Sequence, residues 1–485
     1  LLAKLARWRV SKPASIVYRV AMHMHRLTVG RAKPSWAMVL LLILLVTLWI
    51  AGGGSRANVP GQAVVRAIST LCLVLFCLTG PLVFDTRTRP AMIVLIASGL
   101  IALLQLVPLP PVVWTTLPGR APFLTAARLA GEPQPWRPLA IVPSMTLNAL
   151  LSLIVPFTVL CLMARIHRRE DSLLIKTLLG FVLVSALAGL LQFSGGASNN
   201  PLLNGVGEIS GNFANHNHFA LLLAIGCVLA PAWAFWDGRQ SGWRAPVVLG
   251  LILVFTLTIL ASGSRAGTAL GMIALGLALL FAWRPLRRTL TRYPRWVFPA
   301  LIVGTIALVA LAVALSVAND RAMSIDRAMT VDVHDMRSKG LPVVLRMIHE
   351  YFPVGAGLGG FDPLFRMHEP FTLLKPTYFN HAHNDFLEIV LDTGVVGVIT
   401  LLAAITWWLM ASLRAWRSVG DREGTLARLG SAMLLLVLLA SIVDYPARTP
   451  IIMAVMTIAA VWLGGQTSPH QGTKDETLPQ SSGVV

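Results

Sequence analysis

The feature that most constrains this chain is a recurrence of apolar runs, each about 17–25 residues long, from one end to the other. A helix of that length rises about 30 Å, the depth of a bilayer's hydrocarbon core. Charged residues make up 13% of the chain, against about 25% in a soluble domain. The runs therefore predict an all-α polytopic membrane protein with about 12 transmembrane helices. The spans fall at 36–52, 63–84, 91–107, 146–164, 172–193, 218–236, 245–262, 267–283, 296–318, 386–412, 429–443 and 450–465.

This divides the chain into a basic segment 1–35, a transmembrane domain 36–465 and a polar tail 466–485 that reads as disordered. A large loop, 319–385, precedes the tenth span. The basic segment has neither the apolar region nor the small-residue cleavage site of a secretory leader, and reads as cytoplasmic and surface-lying. The chain begins with Leu1 in place of Met, as an incomplete N-terminus would.

A net charge of +19 raises the question of nucleic acid. The basic residues sit in short connections between apolar runs, as orientation signals do, so nucleic acid is excluded as a partner and membrane lipid expected. Arg87, Arg89, Arg165, Arg168, Arg169, Arg239, Arg244, the 284–295 cluster and 414–428 mark one side, which reads as cytoplasmic with both termini. The other side then receives 108–145, 194–217, 262–267, 319–385 and 444–449. Every unusual polar cluster falls there. Cys72, Cys77, Cys161 and Cys227 lie inside apolar runs without metal-ligand spacing and read as packing residues.

The densest polar cluster is Asn380-His381-Ala382-His383-Asn384-Asp385, joined directly to an apolar helix carrying Glu388 and Asp392 one turn apart. A His-x-His pair can bind a metal, serve structurally or move a proton. No further ligand stands at convincing metal spacing, and an imidazole titrating near pH 6.5 suits proton removal from a sugar hydroxyl. Asn384 can orient the ring or hold a hydroxyl.

Ser262-Gly263-Ser264-Arg265-Ala266-Gly267 is the second signal. Gly263, Gly267 and Gly271 form a stripe that permits close helix packing. Arg265 runs against the orientation bias in a very short loop, and a guanidinium there suits a phosphate. Asn215 and Asn217, in Gly211–Phe219, fit either a hydroxyl-rich ligand or the cap of the next helix. Asp444 and Arg448 are close enough in sequence to pair with each other. Arg337 is a further candidate cation. Gly355-Ala356-Gly357-Leu358-Gly359-Gly360 matches a dinucleotide fingerprint, but no strand precedes it, so it predicts a tight turn. Trp114 and Trp136 read as interface anchors, and 341–353 as a short amphipathic helix on the membrane face.

Together and in this order, the Phe213–Ala220, Ser264–Gly267, Gly355–Phe361 and His381–Glu388 motifs, with Thr393, Gly394 and Gly397, resemble the O-antigen ligase and O-antigen polymerase superfamily of bacterial envelope glycosyltransferases. The resemblance covers most of 36–465. It implies transfer of a glycan from an undecaprenyl-diphosphate carrier to a hydroxyl acceptor at the periplasmic face of the bacterial inner membrane, without metal or cofactor. The acceptor would be a lipid A–core sugar in a ligase, or a carrier-linked glycan in a polymerase of O-antigen or exopolysaccharide. Residue by residue, His383 matches the family's essential histidine and Arg265 its Ser-Arg-Gly arginine, here in the order Ser-Arg-Ala-Gly. Arg337 and Arg448 match loosely as donor-binding cations, while Asn384, Asn215, Asn217 and His381 would support substrate. Two other classes predict different sequences. A metal-dependent lipid-linked glycosyltransferase would carry acids in its first external loop, and 53–62 has none. A transporter or flippase would place ionisable residues near mid-membrane.

Overall fold

In the computed structural model the described residues are 33–195, 200–203, 209–236, 243–290, 296, 336–374, 379–418 and 422–465. Buried backbone in hydrocarbon must satisfy its own hydrogen bonds, and most of the described residues do so as helix. In order, the main helices are α1 (Trp36–Ala51), α2 (Pro60–Cys77), α3 (Arg89–Gln105), α4 (Pro143–Ser152), α5 (Ile154–Arg165), α6 (Asp171–Phe193), α7 (His216–Ala234) and α8 (Arg244–Ala261). They continue as α9 (Arg265–Leu290), α10 (Met336–Tyr351), α11 (Phe361–His368), α12 (Asp385–Arg417), α13 (Arg422–Ala440) and α14 (Pro450–Gly464).

Seven segments are long and apolar enough to cross a membrane: α2, the α4–α5 run, α6 with its preceding turn, α7, α8, the Arg265–Trp283 part of α9, and α12. Helices α1, α3, α13 and α14 are shorter and equally apolar. These eleven segments coincide with eleven of the expected spans. The twelfth, 296–318, lies outside the described residues apart from Trp296, as do 1–32, 319–335 and the tail 466–485.

Helix α7 is the centre of the bundle. It is buried from Asn217 almost to its end and packs on α6, α8, α9 and α13. The expected small-residue contact is real at Gly267, where a Cβ would come within 2.3 Å of the Ala220 methyl. Gly263 instead sits in the turn before α9 with φ +69°.

Helix α12 is broken at Gly394, whose φ of 58° and ψ of −143° lie outside helical space. The break makes room for the glycine loop 355–360. A Cβ on Gly394 would sit 2.0 Å from the Pro353 carbonyl oxygen, and Val395 N donates to that oxygen. Gly355, Gly357 and Gly359 all have positive φ, as the tight-turn reading requires. Ala356 N donates to Leu391 O and Gly357 N to Asp392 O, so the loop caps carbonyls that the break leaves open.

Two expectations about the loops change. Trp114 is no interface anchor: it is buried, donates to Pro138 O at 2.8 Å and lies between the Arg120 and Arg137 guanidiniums. It fills the loop closed by the antiparallel pairing of Pro108–Leu109 with Arg137–Pro138; Trp136 is exposed. Helix α10 is amphipathic, but its apolar face meets protein. Val343, Val344, Met347 and Tyr351 form a second core with Phe361, Phe365, Phe379 and Leu391.

Candidate active site

Four short segments meet at one end of the bundle: those before α7, before α9 and before α12, and the turn between α13 and α14. Each begins from local chemistry. Asn215 caps α7, its Oδ1 accepting from Asn217 N at 2.8 Å. Ser264 caps α9 by accepting from Gly267 N at 2.8 Å. Asn384 caps α12 by accepting from Leu387 N at 3.0 Å. Side chains that start helices also present their remaining groups to one another.

They converge on Asp444, which is 2% exposed. Its Oδ2 accepts from the side-chain amides of Asn217 and, at 3.2 Å, Asn215. Its Oδ1 accepts from Tyr445 N at 3.0 Å. His383 Nδ1 lies 3.3 Å from the same Oδ1, out of line for a well-formed hydrogen bond. His218 Nε2 is 3.7 Å from Oδ1, and an Arg337 guanidinium nitrogen 3.7 Å from Oδ2. Arg337 also donates to Val443 O at 3.3 Å. Ser264 Oγ donates to Asn217 Oδ1 at 2.6 Å, linking the start of α9 into the same network.

His383 has φ 51° and is the positive-φ residue other than glycine among the described residues. Left-handed backbone costs a non-glycine residue about 1–2 kcal/mol, and such strain persists where surrounding structure holds it. Here Phe379 and Tyr445 hold the ring, each with its centroid 5.0 Å away. Tyr445 also meets His381 at 4.2 Å and His218 at 5.1 Å. Burial lowers the His383 pKa below its usual 6.5, against the opposing pull of Asp444. Burial alone would raise the Asp444 carboxyl. The His218 and His383 rings beside it outweigh that and hold it well below the usual carboxylate range. Burial, with Asp444 beside it, pushes the Tyr445 phenol up to about 12. At neutral pH the site thus combines a neutral imidazole with an ionised carboxylate.

Arg448 does not pair with Asp444. Its guanidinium lies 3.3 Å from Asp385, 3.2 Å from Glu388 and 3.5 Å from Asp392, three acids on one face of α12. Those acids raise its pKa against the effect of burial. His381 Nδ1 lies 2.9 Å from Glu388 Oε1, so this histidine belongs to the Arg448 cluster. Asn384 donates its amide to Ile442 O at 2.8 Å, pinning the His383 loop to the end of α13. Arg265 is exposed as the first residue of α9, directly after the Ser264 cap.

The structure therefore brings His383, Arg337, Asn215 and Asn217 together around Asp444. Arg265 is tied to them through its neighbour Ser264. His381 and Arg448 form an adjoining ion cluster. Sequence reasoning missed Asp444, His218 and Tyr445. A charged residue in a short connection between apolar spans was the available signal for Asp444. Among the described residues, no group of three or more His, Cys, Asp or Glu is placed to hold a metal ion.

Two cavities adjoin the cluster. One is polar, about 70 Å³, and reaches Asn215, His218, Asn380 and Tyr445. The other is a largely apolar space of about 390 Å³ between α3, α12, α13 and α14. It runs from Leu358, Thr393 and Ala447 to Trp407, Trp408 and Pro90.

Among known proteins, the O-antigen ligase family model matches residues 249–402. The match holds Arg265, Arg337, His381, His383 and Asn384, and ends before Asp444 and Arg448. No curated protein matches the chain.

Proposed function

We propose that this chain, a multi-pass membrane protein whose residues 249–402 match the O-antigen ligase family model, is a glycosyltransferase of lipid-linked glycan and acts as a ligase. It moves a glycan from an undecaprenyl-diphosphate carrier to a sugar hydroxyl at the periplasmic face of the inner membrane. The observation that carries this reading is the buried Asp444 shared by His383 and Arg337 and linked through Asn217 and Ser264 to the helix that begins at Arg265.

Asp444 faces Nδ1 of His383 and favours the tautomer with its proton there, leaving Nε2 as a base. This is the division of labour of an Asp–His pair in hydrolases. Nε2 takes the proton of the acceptor hydroxyl as its oxygen attacks the anomeric carbon. The bond from that carbon to the diphosphate oxygen breaks with its electron pair, and the leaving diphosphate carries it away. A single displacement inverts the configuration. Charge growing on the diphosphate meets Arg265 and Arg337, with the amino end of α9 adding its partial positive charge, so fixed cations do the stabilising and no metal or cofactor is required. The apolar space beside α12 suits the carrier's polyprenyl chain, its upper end opening below the glycine loop and Ala447.

The experiment is glycan transfer by the purified protein, given carrier-linked donor, lipid A–core acceptor and EDTA. Transfer should proceed, and His383→Ala and Arg265→Ala should each abolish it. Full activity in both variants would defeat the mechanism. A deletion strain separates ligase from polymerase. Ligase loss leaves polymer on the carrier, whereas polymerase loss leaves single repeats.

A further inference from the structure

The first connection, between α1 and α2, has no part in the transfer chemistry above, yet it is built into the site. Ala214 N donates to Gly53 O at 3.0 Å, Gln62 Nε2 to Gly54 O at 2.8 Å, and Asn212 Nδ2 to Trp49 O at 3.0 Å. A Cβ on Gly53 would come within 1.9 Å of Asn212 O, so the two backbones lie in direct contact. These bonds hold Ser55 and Arg56 at the wall of the polar cavity of about 70 Å³, which Asn215, His218, Asn380 and Tyr445 also line; that is room for a hydroxyl-bearing edge of a sugar, the rest of which would lie outside. Among the described residues its lining offers a hydroxyl, amides, an imidazole, a phenol and one guanidinium, with Asp444 behind Asn215 and His218. That donor-rich set suits a hydroxyl-bearing sugar.

The position of the cavity decides which sugar. Tyr445 is one wall and touches the His383 ring on its other side, while Asn380 lies three residues before His383. The base must contact the attacking hydroxyl, so the sugar beside it is the acceptor's. We propose that this cavity is the acceptor-sugar subsite, with Ser55 and Arg56 of the first connection as specificity residues. The inference rests on the transfer reading and adds a segment outside the matched domain to the site.

The test is steady-state transfer with Arg56→Ala and with Ser55→Leu, whose side chain would intrude on the cavity, after thermal unfolding confirms that both fold as wild type. Acceptor KM should rise about tenfold in R56A, the loss of one charge-assisted hydrogen bond, with donor KM unchanged and kcat within about threefold. A second arm titrates delipidated core oligosaccharide into detergent-solubilised protein by calorimetry. Wild type should bind it, and S55L should not. An unchanged acceptor KM, or a rise in donor KM instead, would overturn the assignment. Oligosaccharide binding that depends on Ser55 and Arg56, in a wild-type protein that transfers nothing, would keep the subsite and defeat the transfer reading.

Discussion

Asp444→Asn tests the centre of the site with almost no change in shape. Both Asn215 and Asn217 donate to Oδ2, so the oxygen of the new amide must occupy that position. Its NH₂ then takes the place of Oδ1, facing His383 Nδ1 at 3.3 Å and the Tyr445 N–H that formerly donated there at 3.0 Å. An NH₂ facing Nδ1 makes Nδ1 an acceptor, which drives the ring proton to Nε2 and removes the base. Comparable tautomer reversal in hydrolases lowers kcat by about 10⁴, or about 5.5 kcal/mol of barrier. A fall in kcat of about 10³–10⁴ is therefore expected here. The donor facing Tyr445 N–H adds about 1–3 kcal/mol of destabilisation, read as a lower unfolding temperature in detergent. The pH profile separates tautomer from protonation. Asp444 raises the His383 pKa, so its loss would leave more neutral imidazole, and a protonation effect would raise activity in acid. Transfer that stays low at every pH supports the tautomer argument. A kcat within about threefold of wild type would refute it.

Five further outcomes follow from the same geometry. Because burial lowers the His383 pKa below 6.5, the acid limb of the transfer profile should lie at lower pH than that of an ordinary imidazole. The sign for stability is the same: a depressed histidine contributes fully above about pH 6.5 and loses that contribution as pH falls through its folded value. His383→Gly should be inactive yet more stable than His383→Ala by about 1 kcal/mol in thermal unfolding, since glycine accepts φ 51° without strain. Arg448→Gln leaves three buried carboxylates around a missing charge and should cost about 3–5 kcal/mol, seen as poor recovery from membranes. Arg265→Ala, at an exposed position, should be recovered normally and lose only transfer. Gly394→Ala places a Cβ 2.0 Å from Pro353 O at a positive φ and should cost about 3 kcal/mol or more, measured as a drop in unfolding temperature.

The helical spans were legible because a bilayer imposes length and apolarity on each one separately. Eleven described segments lie where their hydropathy places them. The cap at Asn215 was readable for a similar reason, since capping is local, whereas Asn384 proves to cap α12. Asp444 and Arg448 stand four residues apart, so spacing leaves open whether they pair with each other. The Pro446–Arg448 turn instead directs Arg448 to the acids of α12, while Asp444 points to α7 and His383. That choice depends on three helices from distant parts of the chain, which spacing cannot encode. The same holds for Trp114, whose burial is set by the Arg137–Pro138 strand it meets. The left-handed backbone of His383 had no signature either, because histidine does not announce a positive φ as glycine does.

The hydrogen-bonded path from Ser264 through Asn217 and Asp444 toward His383 draws on segments some 230 residues apart, and its hub comes from the final hairpin, α13–α14. Synthesis proceeds from the amino end, so the bundle can insert helix after helix while the imidazole has no carboxylate to set its proton. Residue 444 follows His383, Arg265 and Arg337 in the chain, and the apolar space is closed only by α14, which comes later still. On the proposed mechanism, a chain halted before Asp444 would hold the imidazole and both cations without the carboxylate that sets the imidazole's proton, and would transfer nothing.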